Sequence, residues 1–236
     1  MEEVFREDAY AKTCSAKIIS SSPEGIILDR TVFYPMGGGQ PGDTGTLKSS
    51  DGSVTHIADT RKSEDGTGIV HVPVDGDPLP AVGSTIEAEI DWDRRYRHMR
   101  MHTTLHLLCA LVDGDVTGGQ IGADKSRLDF NIPAGTVDKL DLTERLNALI
   151  TADHAVSARW VSEEELTSRD DLVRTMSVKP PMGSGSVRLL DVQGVDLQAC
   201  GGTHVARTGE IGPVEVSKIE NKGKQNRRIN VVLKPA

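Results

Sequence analysis

Two histidines four residues apart, His102 and His106, interrupt the Leu-rich run MHTTLHLL at residues 101–108. In an α-helix, positions i and i+4 stand one above the other on a single face, so both rings point the same way. A second stretch, QACGGTH at 198–204, carries Cys200 and His204 separated by Gly201, Gly202 and Thr203. Glycines let the backbone fold tightly enough for a thiolate and an imidazole to converge. Two imidazoles from a helix, with a thiolate and an imidazole from a bend, make a donor set suited to Zn²⁺. The plain alternative for the helical pair is two hydrogen-bonded histidines at the margin of a buried face.

Neighbouring residues narrow that chemistry. A zincin protease needs Glu directly after the first His as general base, and Thr103 stands there, which excludes the class. His98, four before His102, offers His98/His102 as a rival pair. At about 1.5 Å of rise per residue, His98 lies roughly 12 Å along the axis from His106, so all three cannot share one ion. Cys109, three after His106, reads as a small core residue.

The elements that must position these side chains divide the chain. Up to about residue 92 the runs GIILDRTVFY, VTHIADT, GIVHVPV and STIEAEIDW are short, apolar and bounded by Gly, Pro, Asp or Ser, which predicts strands joined by turns and a small barrel. From Asp93 to Val112 the period becomes helical. Asp93 is the expected N-cap, Met101, Leu105, Leu108 and Val112 form an apolar stripe, and Gly114 is the expected stop. Further strands are expected at RLDFNI, AVSARWV, VRLLDV, PVEVSKIE and INVVLK. A helix is expected over about Leu142 to Asp153, with Leu142, Leu146, Leu149 and Ile150 on one face, and a short helix opened by Ser162 and Glu165 in capping-box spacing. The expectation is an α+β fold, with a small β-barrel domain at 1–92 and a domain at 93–236 whose mainly antiparallel sheet packs against helices.

Two other stretches invite a functional reading. FYPMGGGQPGDTG at 33–45 contains a G-x-G-x-x-G spacing, but Pro41, Gly42 and Gly45 follow where a dinucleotide fold would open a helix, so a wide turn is expected. Its bare backbone would allow close approach of a ligand, with the Gln40 amide able to donate and accept. SKIENKGKQNRRINVVLK at 217–234 sets six Lys and Arg against the single acid Glu220. Such a basic hairpin tip is either a solvated turn or a place for phosphate contacts, to which Arg94, Arg95, Arg97 and Arg100 could add.

Bulk properties bound the alternatives. The 236 residues suit one or two domains, and a formal net charge of −8 gives the whole molecule no attraction for nucleic acid or an anionic membrane, so any such contact must be local. No uncharged apolar run approaches the ~20 residues that span a bilayer, and MEEVFREDAY lacks the apolar core of a secretory signal, so no membrane contact and a cytoplasmic location are expected. Cys14, Cys109 and Cys200 are odd in number and far apart, reading as buried thiols or metal ligands.

Taken in order, FYPMGGGQPGDTG, MHTTLHLL, DLQACGGTH and EIGPVEVSKIENKGKQNRRI resemble the editing region of alanyl-tRNA synthetase, and most closely the freestanding alanyl-tRNA editing proteins of medium length, over nearly the whole chain. The resemblance implies hydrolysis of mischarged tRNA(Ala), chiefly Ser-tRNA(Ala) with Gly-tRNA(Ala) as a further candidate. It also implies one zinc held by His102, His106, Cys200 and His204. Thr117 resembles the family's hydroxyl-bearing pocket residue and Gln40 the glutamine of its glycine-rich motif, with Gly201 and Gly202 lining the same substrate site. Lys222, Lys224, Arg227 and Arg228 are the expected tRNA contacts.

Such an enzyme has a physical reason to exist. A synthetase pocket rejects a missing methylene or an added hydroxyl by only about 1–3 kcal/mol, so a second site must remove the errors. Four protein ligands alone would close the zinc shell. Catalysis therefore requires that Cys200 or His204 be loosened or that the shell expand, and no dedicated general base is evident. Two other readings remain open: a non-enzymatic RNA-binding module with structural zinc, and a threonyl-type editor of Ser-tRNA(Thr).

Overall fold

Apolar residues alternating with polar ones over short runs build the first half of the chain as strands with one buried face. The computed structural model describes residues 1–66, 68–162, 164 and 185–235. These divide into two compact units, Met1–Tyr96 and Arg97–Ala236, and the dividing point falls inside the helix that carries the paired histidines. The short helix expected after Ser162 lies outside the described residues.

The first unit comprises β1 (Glu2–Glu3), α1 (Val4–Glu7), β2 (Thr13–Ser22), β3 (Gly25–Leu28), β4 (Arg30–Thr31), β5 (Gly45–Ser49), β6 (Val54–Lys62), β7 (Ile69–Pro73) and β8 (Thr85–Ile90). Six of these strands close an antiparallel barrel in the order β2-β3-β7-β6-β5-β8, while β1 lies parallel to β4. Its core is filled by Ala16, Ile18, Leu28, Leu47, Ile86 and Ala88 among others, and closure leaves no free sheet edge. The sequence runs had not suggested β2 or β5, whose serines and threonines dilute the alternation.

The glycine-rich stretch is a tied-down turn and opens no helix, as expected. Gly37 and Gln40 exchange backbone hydrogen bonds of 3.0 and 2.9 Å, and the Tyr34 hydroxyl donates to the Gly37 carbonyl at 2.9 Å. A Cβ on Gly42 would lie 2.0 Å from the Thr60 carbonyl oxygen, and one on Gly45 2.1 Å from that of Glu89, so strand proximity demands glycine at both. Behind the turn, the fully buried Arg95 grips the Asp43 carboxylate through Nε at 3.0 and 2.8 Å and through Nη2. The same guanidinium donates to the Ala9 and Val32 carbonyls, and Asp43 also accepts from the Tyr34 amide. Arg95 is therefore a structural residue and not part of a phosphate patch.

The second unit comprises the greater part of α2 (Trp92–Leu111), then β9 (Asp115–Gln120), β10 (Lys125–Asn131), α3 (Lys139–Thr151), β11 (Val156–Ser162), β12 (Ser186–Val192), β13 (Asp196–Ala199), β14 (Val214–Gly223) and β15 (Asn226–Leu233). One antiparallel sheet runs β14-β15-β10-β9 and another β11-β12-β13. Helix α3 covers the outer edge of β14. The Asn147 side chain donates to the Val214 carbonyl and accepts from its amide, and one turn earlier the Thr143 hydroxyl accepts from the Val216 amide. Two polar side chains at i, i+4 thereby satisfy backbone groups that a bare edge would leave open. An α+β architecture with an N-terminal barrel is what the sequence led us to expect. Among the described residues no helix is long and apolar enough to cross a membrane.

Several local expectations need correction. Helix α2 starts at Trp92, because the Asp91 carboxylate accepts from the Arg94 amide at 3.1 Å and takes the N-cap role assigned to Asp93. Gly114 does not terminate the helix as a left-handed cap; a Cβ there would meet Ile132 Cγ2 at 2.3 Å, so close packing explains the glycine. Helix α3 begins three residues earlier than expected, where Asp138 accepts from the Leu140 and Asp141 amides. Over the central turns of α2 burial extends beyond the expected stripe, and every residue from Met101 to Cys109 is buried.

One buried histidine makes the barrel pH-sensitive. His71 Nδ1 donates to the Ile26 carbonyl at 3.0 Å, and its Nε2 accepts from the Thr31 hydroxyl at 2.8 Å. Burial pushes its pKa down from 6.5 to about 4, the Ile26 hydrogen bond opposing only in part. As pH falls from 6.5 toward 4, the unfolded chain takes up a proton that the folded barrel refuses. Stability should fall over that interval by up to about 3 kcal/mol and level off below it. Denaturant titrations of wild type and His71→Gln between pH 7 and 4.5 should diverge in slope; parallel curves would remove His71 from the acid response.

Candidate metal centre

Helix α2 presents His102 and His106 one turn apart, with ring centroids 5.4 Å from each other. The bend after β13 brings His204 to 4.2 Å from the His102 ring and 5.0 Å from the His106 ring. Cys200 Sγ lies 3.4 Å from His102 Nε2 and 3.2 Å from His204 Nε2. One donor atom from each of the four residues falls within 4.8 Å of every other. A tetrahedron with Zn–N near 2.0–2.1 Å and Zn–S near 2.3 Å has edges of roughly 3.3–3.6 Å, which the two sulfur–nitrogen separations approach, and the donor chemistry suits Zn²⁺. His98 and Cys109 are buried but stand outside the group, so the helical pair that the cluster contains is His102 and His106.

Hydrogen bonds set the orientation of two rings. The Thr103 hydroxyl donates back to the Met99 carbonyl at 3.0 Å, leaving its oxygen to accept from His204 Nδ1 at 3.2 Å. His204 is thereby held as the Nδ1–H tautomer, with the Nε2 lone pair turned toward Cys200. His106 Nδ1 lies 3.4 Å from Asp196 Oδ2, which leaves its other nitrogen for the cluster.

The loop itself is clamped from behind. Arg188 Nη1, on β12, donates to the carbonyls of Cys200 and Gly202, each at 3.0 Å, and the Gly202 amide donates to Cys200 Sγ at 3.4 Å. Burial alone would push the Cys200 thiol up, but the charges of His102, His204 and His106 hold it well below its usual range. Burial lowers His106, and the Cys200 and Asp196 charges with their hydrogen bonds more than reverse this, to about 9. Burial and the His102 charge push His204 well below the ordinary imidazole range. The cluster thus favours the thiolate, the ligand form of cysteine.

Other residues singled out from the sequence lie as follows. Gly201 is exposed and Gly202 buried, both within the ligand loop. Thr117, on β9, donates its hydroxyl to the Asp129 carbonyl at 3.2 Å and accepts from the Asn226 amide at 3.3 Å. Gln40 is fully buried in the glycine turn of the barrel unit.

The β14–β15 hairpin carries the basic tip, and both of its arginines are engaged by acceptors within the protein. Arg227 is buried and donates to the carbonyls of Gly223, Lys224 and Asn226. Arg228 forms a two-pronged pair with Asp129 at 2.8 Å on both arms. Lys224 is exposed, and Lys222 pairs with Glu220 at 2.9 Å. Arg97 pairs with Asp124, and Arg100 donates to the Ile211 carbonyl.

Sequence reasoning missed Thr103, Arg188, Asp196 and Gln198. The alternation in Asp196-Leu197-Gln198-Ala199-Cys200 was a usable signal, because period two places Asp196, Gln198 and Cys200 on one face. Arg188 inside the apolar run VRLLDV was another. Thr103 carried none, since its role depends on a residue a hundred positions away.

Two family models match separate parts of this chain, one in the barrel unit and one in the unit that carries the His/Cys group. Residues 5–94 match the family of class II (A) tRNA synthetases, and residues 187–230 match the threonyl and alanyl tRNA synthetase second additional domain. The chain is 39% identical over 216 residues to Alanyl-tRNA editing protein AlaX-M of Methanosarcina acetivorans, covering 88% of each. It is 33% identical to that of Saccharolobus solfataricus over 99% of both chains. An alanine–tRNA ligase of Pyrobaculum calidifontis is 37% identical over 92% of this chain, which spans only 25% of the ligase. The chain belongs to the alanyl-tRNA editing protein family.

Proposed function

We propose that this protein is a trans-editing hydrolase that deacylates mischarged tRNA(Ala), chiefly Ser-tRNA(Ala) with Gly-tRNA(Ala) as a second substrate, at a zinc held by His102, His106, Cys200 and His204. The observation that carries the reading is the convergence of these four donors in a chain of the alanyl-tRNA editing family. In the overall reaction, water adds to the aminoacyl carbonyl carbon, the bond to the ribose oxygen breaks, and that oxygen takes up a proton. Bound zinc supplies Lewis-acid polarisation to such an ester.

The chain's own residues do the holding and the choosing. Thr103 fixes the tautomer of His204, and Arg188 fixes the loop that carries Cys200. Cys200 is the least buried of the four, with exposed Gly201 beside it, so in this reading the substrate would approach from that side of the cluster. In this reading Thr117, Gly201 and Gly202 contact the aminoacyl end, and polar groups satisfied by a seryl hydroxyl would be left unpaired by alanine. Lys222 and Lys224 contact the tRNA backbone, presented by a hairpin that Arg227 and Arg228 hold together. The domain at 93–236 is thus the editing domain, and the barrel at 1–92 carries the glycine motif.

Incubation with Ser-tRNA(Ala), Ala-tRNA(Ala) and Ser-tRNA(Thr) should leave only the first hydrolysed, and removal of zinc from the wild type should abolish that. A binding module would leave all three esters intact, and a threonyl-type editor would attack the third. Full-rate hydrolysis by the zinc-free chain would end the metal's proposed role.

Elemental analysis should find about one zinc per chain, with content falling to near zero in His102→Ala. For the basic tip, replacing Lys222 and Lys224 by Gln should lower the slope of log affinity against log salt by roughly 1 to 2. An unchanged slope would reassign the tip to solubility.

A further inference from the structure

The buried face of β13 holds a carboxylate that the ligand set does not use. Period two along this strand puts Asp196, Gln198 and Cys200 on one side, while Leu197 and Ala199 pack on the other against Val161, Val187 and Leu189. The Asp196 side chain is only 3% exposed. Its Oδ1 accepts from the Gln198 amide at 3.1 Å and its Oδ2 faces His106 Nδ1 at 3.4 Å. Antiparallel pairing of Asp196 with Val192 and of Gln198 with Leu190 anchors both residues on the middle strand of the sheet. Both oxygens of this buried carboxylate are thus engaged, one by the Gln198 side-chain amide and one by a ring whose opposite nitrogen is left for the four-donor cluster.

We propose that Asp196, braced by Gln198, is the positioning residue that aims His106 at a divalent cation in the four-donor cluster and balances that cation's charge. The inference rests on the zinc reading above. Three neutral imidazoles and one thiolate leave a divalent ion with one uncompensated positive charge in a buried site. Asp196, one imidazole ring away, brings the total to zero. By accepting from Nδ1–H it also fixes the ring's tautomer and rotation, leaving Nε2 as the ligand atom. Gln198 keeps the carboxylate from turning away by occupying its other oxygen. Thr103 performs the orienting part of this task for His204 but contributes no charge, so Asp196 is the stronger determinant of metal affinity.

The test measures zinc affinity of the full chain by competition with a chromophoric chelator, for wild type, D196N, D196A and Q198L. D196N and D196A should weaken binding about 10- to 100-fold and Q198L by less. D196N keeps the shape of the side chain, so it carries the comparison if D196A fails to fold. Co²⁺-loaded wild type and D196N should also differ in their visible d–d bands, because the His106 ring is no longer held; a merely structural aspartate would leave them alike. Tight wild-type binding with D196N within about twofold of it, and unchanged cobalt bands, would overturn this inference alone. A wild-type chain that takes up neither metal would overturn the zinc reading and this inference together.

Discussion

A thiolate and three imidazoles cannot be packed together out of water unless something holds each one against the others, and the second unit is organised around that requirement. Helix α2 supplies two rings at a spacing its own geometry guarantees. The other two donors come from a bend whose backbone has no such regularity, and Arg188 imposes order by gripping the carbonyls of Cys200 and Gly202. Thr103 then ties the bend to the helix through His204. A loose loop would leave the thiol to protonate and drift; a clamped one keeps it against the three rings.

The same logic recurs at the glycine turn of the barrel. Arg95 and Asp43 are both buried, and their pair brings three segments together: the turn itself, the chain before β2 through Ala9, and the segment at Val32. Removing one partner of such a pair would strand a buried charge at a cost of about 3–5 kcal/mol. The arginine sits at the start of α2, the element that also carries His102 and His106. In each unit a buried guanidinium holds an irregular loop that no secondary structure would otherwise fix.

Charge is spent locally in this protein. In a chain of net charge −8 the basic residues of the β14–β15 hairpin form a local cluster, and they divide into two kinds within one short run. Its arginines, with their fixed forks of donors, satisfy carbonyls and Asp129, while its lysines stay at the surface. That division follows the chemistry of the side chains: a planar guanidinium suits several fixed acceptors, and a flexible ammonium suits a mobile phosphate.

Much of the fold was legible because period and punctuation are local properties. The alternation in STIEAEI, the helical spacing of Leu142, Leu146 and Ile150, and the i, i+4 histidines all express backbone geometry that neighbouring residues share. The same is true of the four donor residues, whose types and spacing pointed to a metal before any contact was known. What the chain could not announce was which distant groups would serve them. Asp91 in place of Asp93 as cap, Gly114 as a packing residue, Arg227 turned inward, and Thr103, Arg188 and Asp196 around the cluster are all settled by partners far away in sequence. Residue type and periodicity are written along the chain, whereas the neighbour that satisfies a buried donor or charge exists only once the chain has closed on itself.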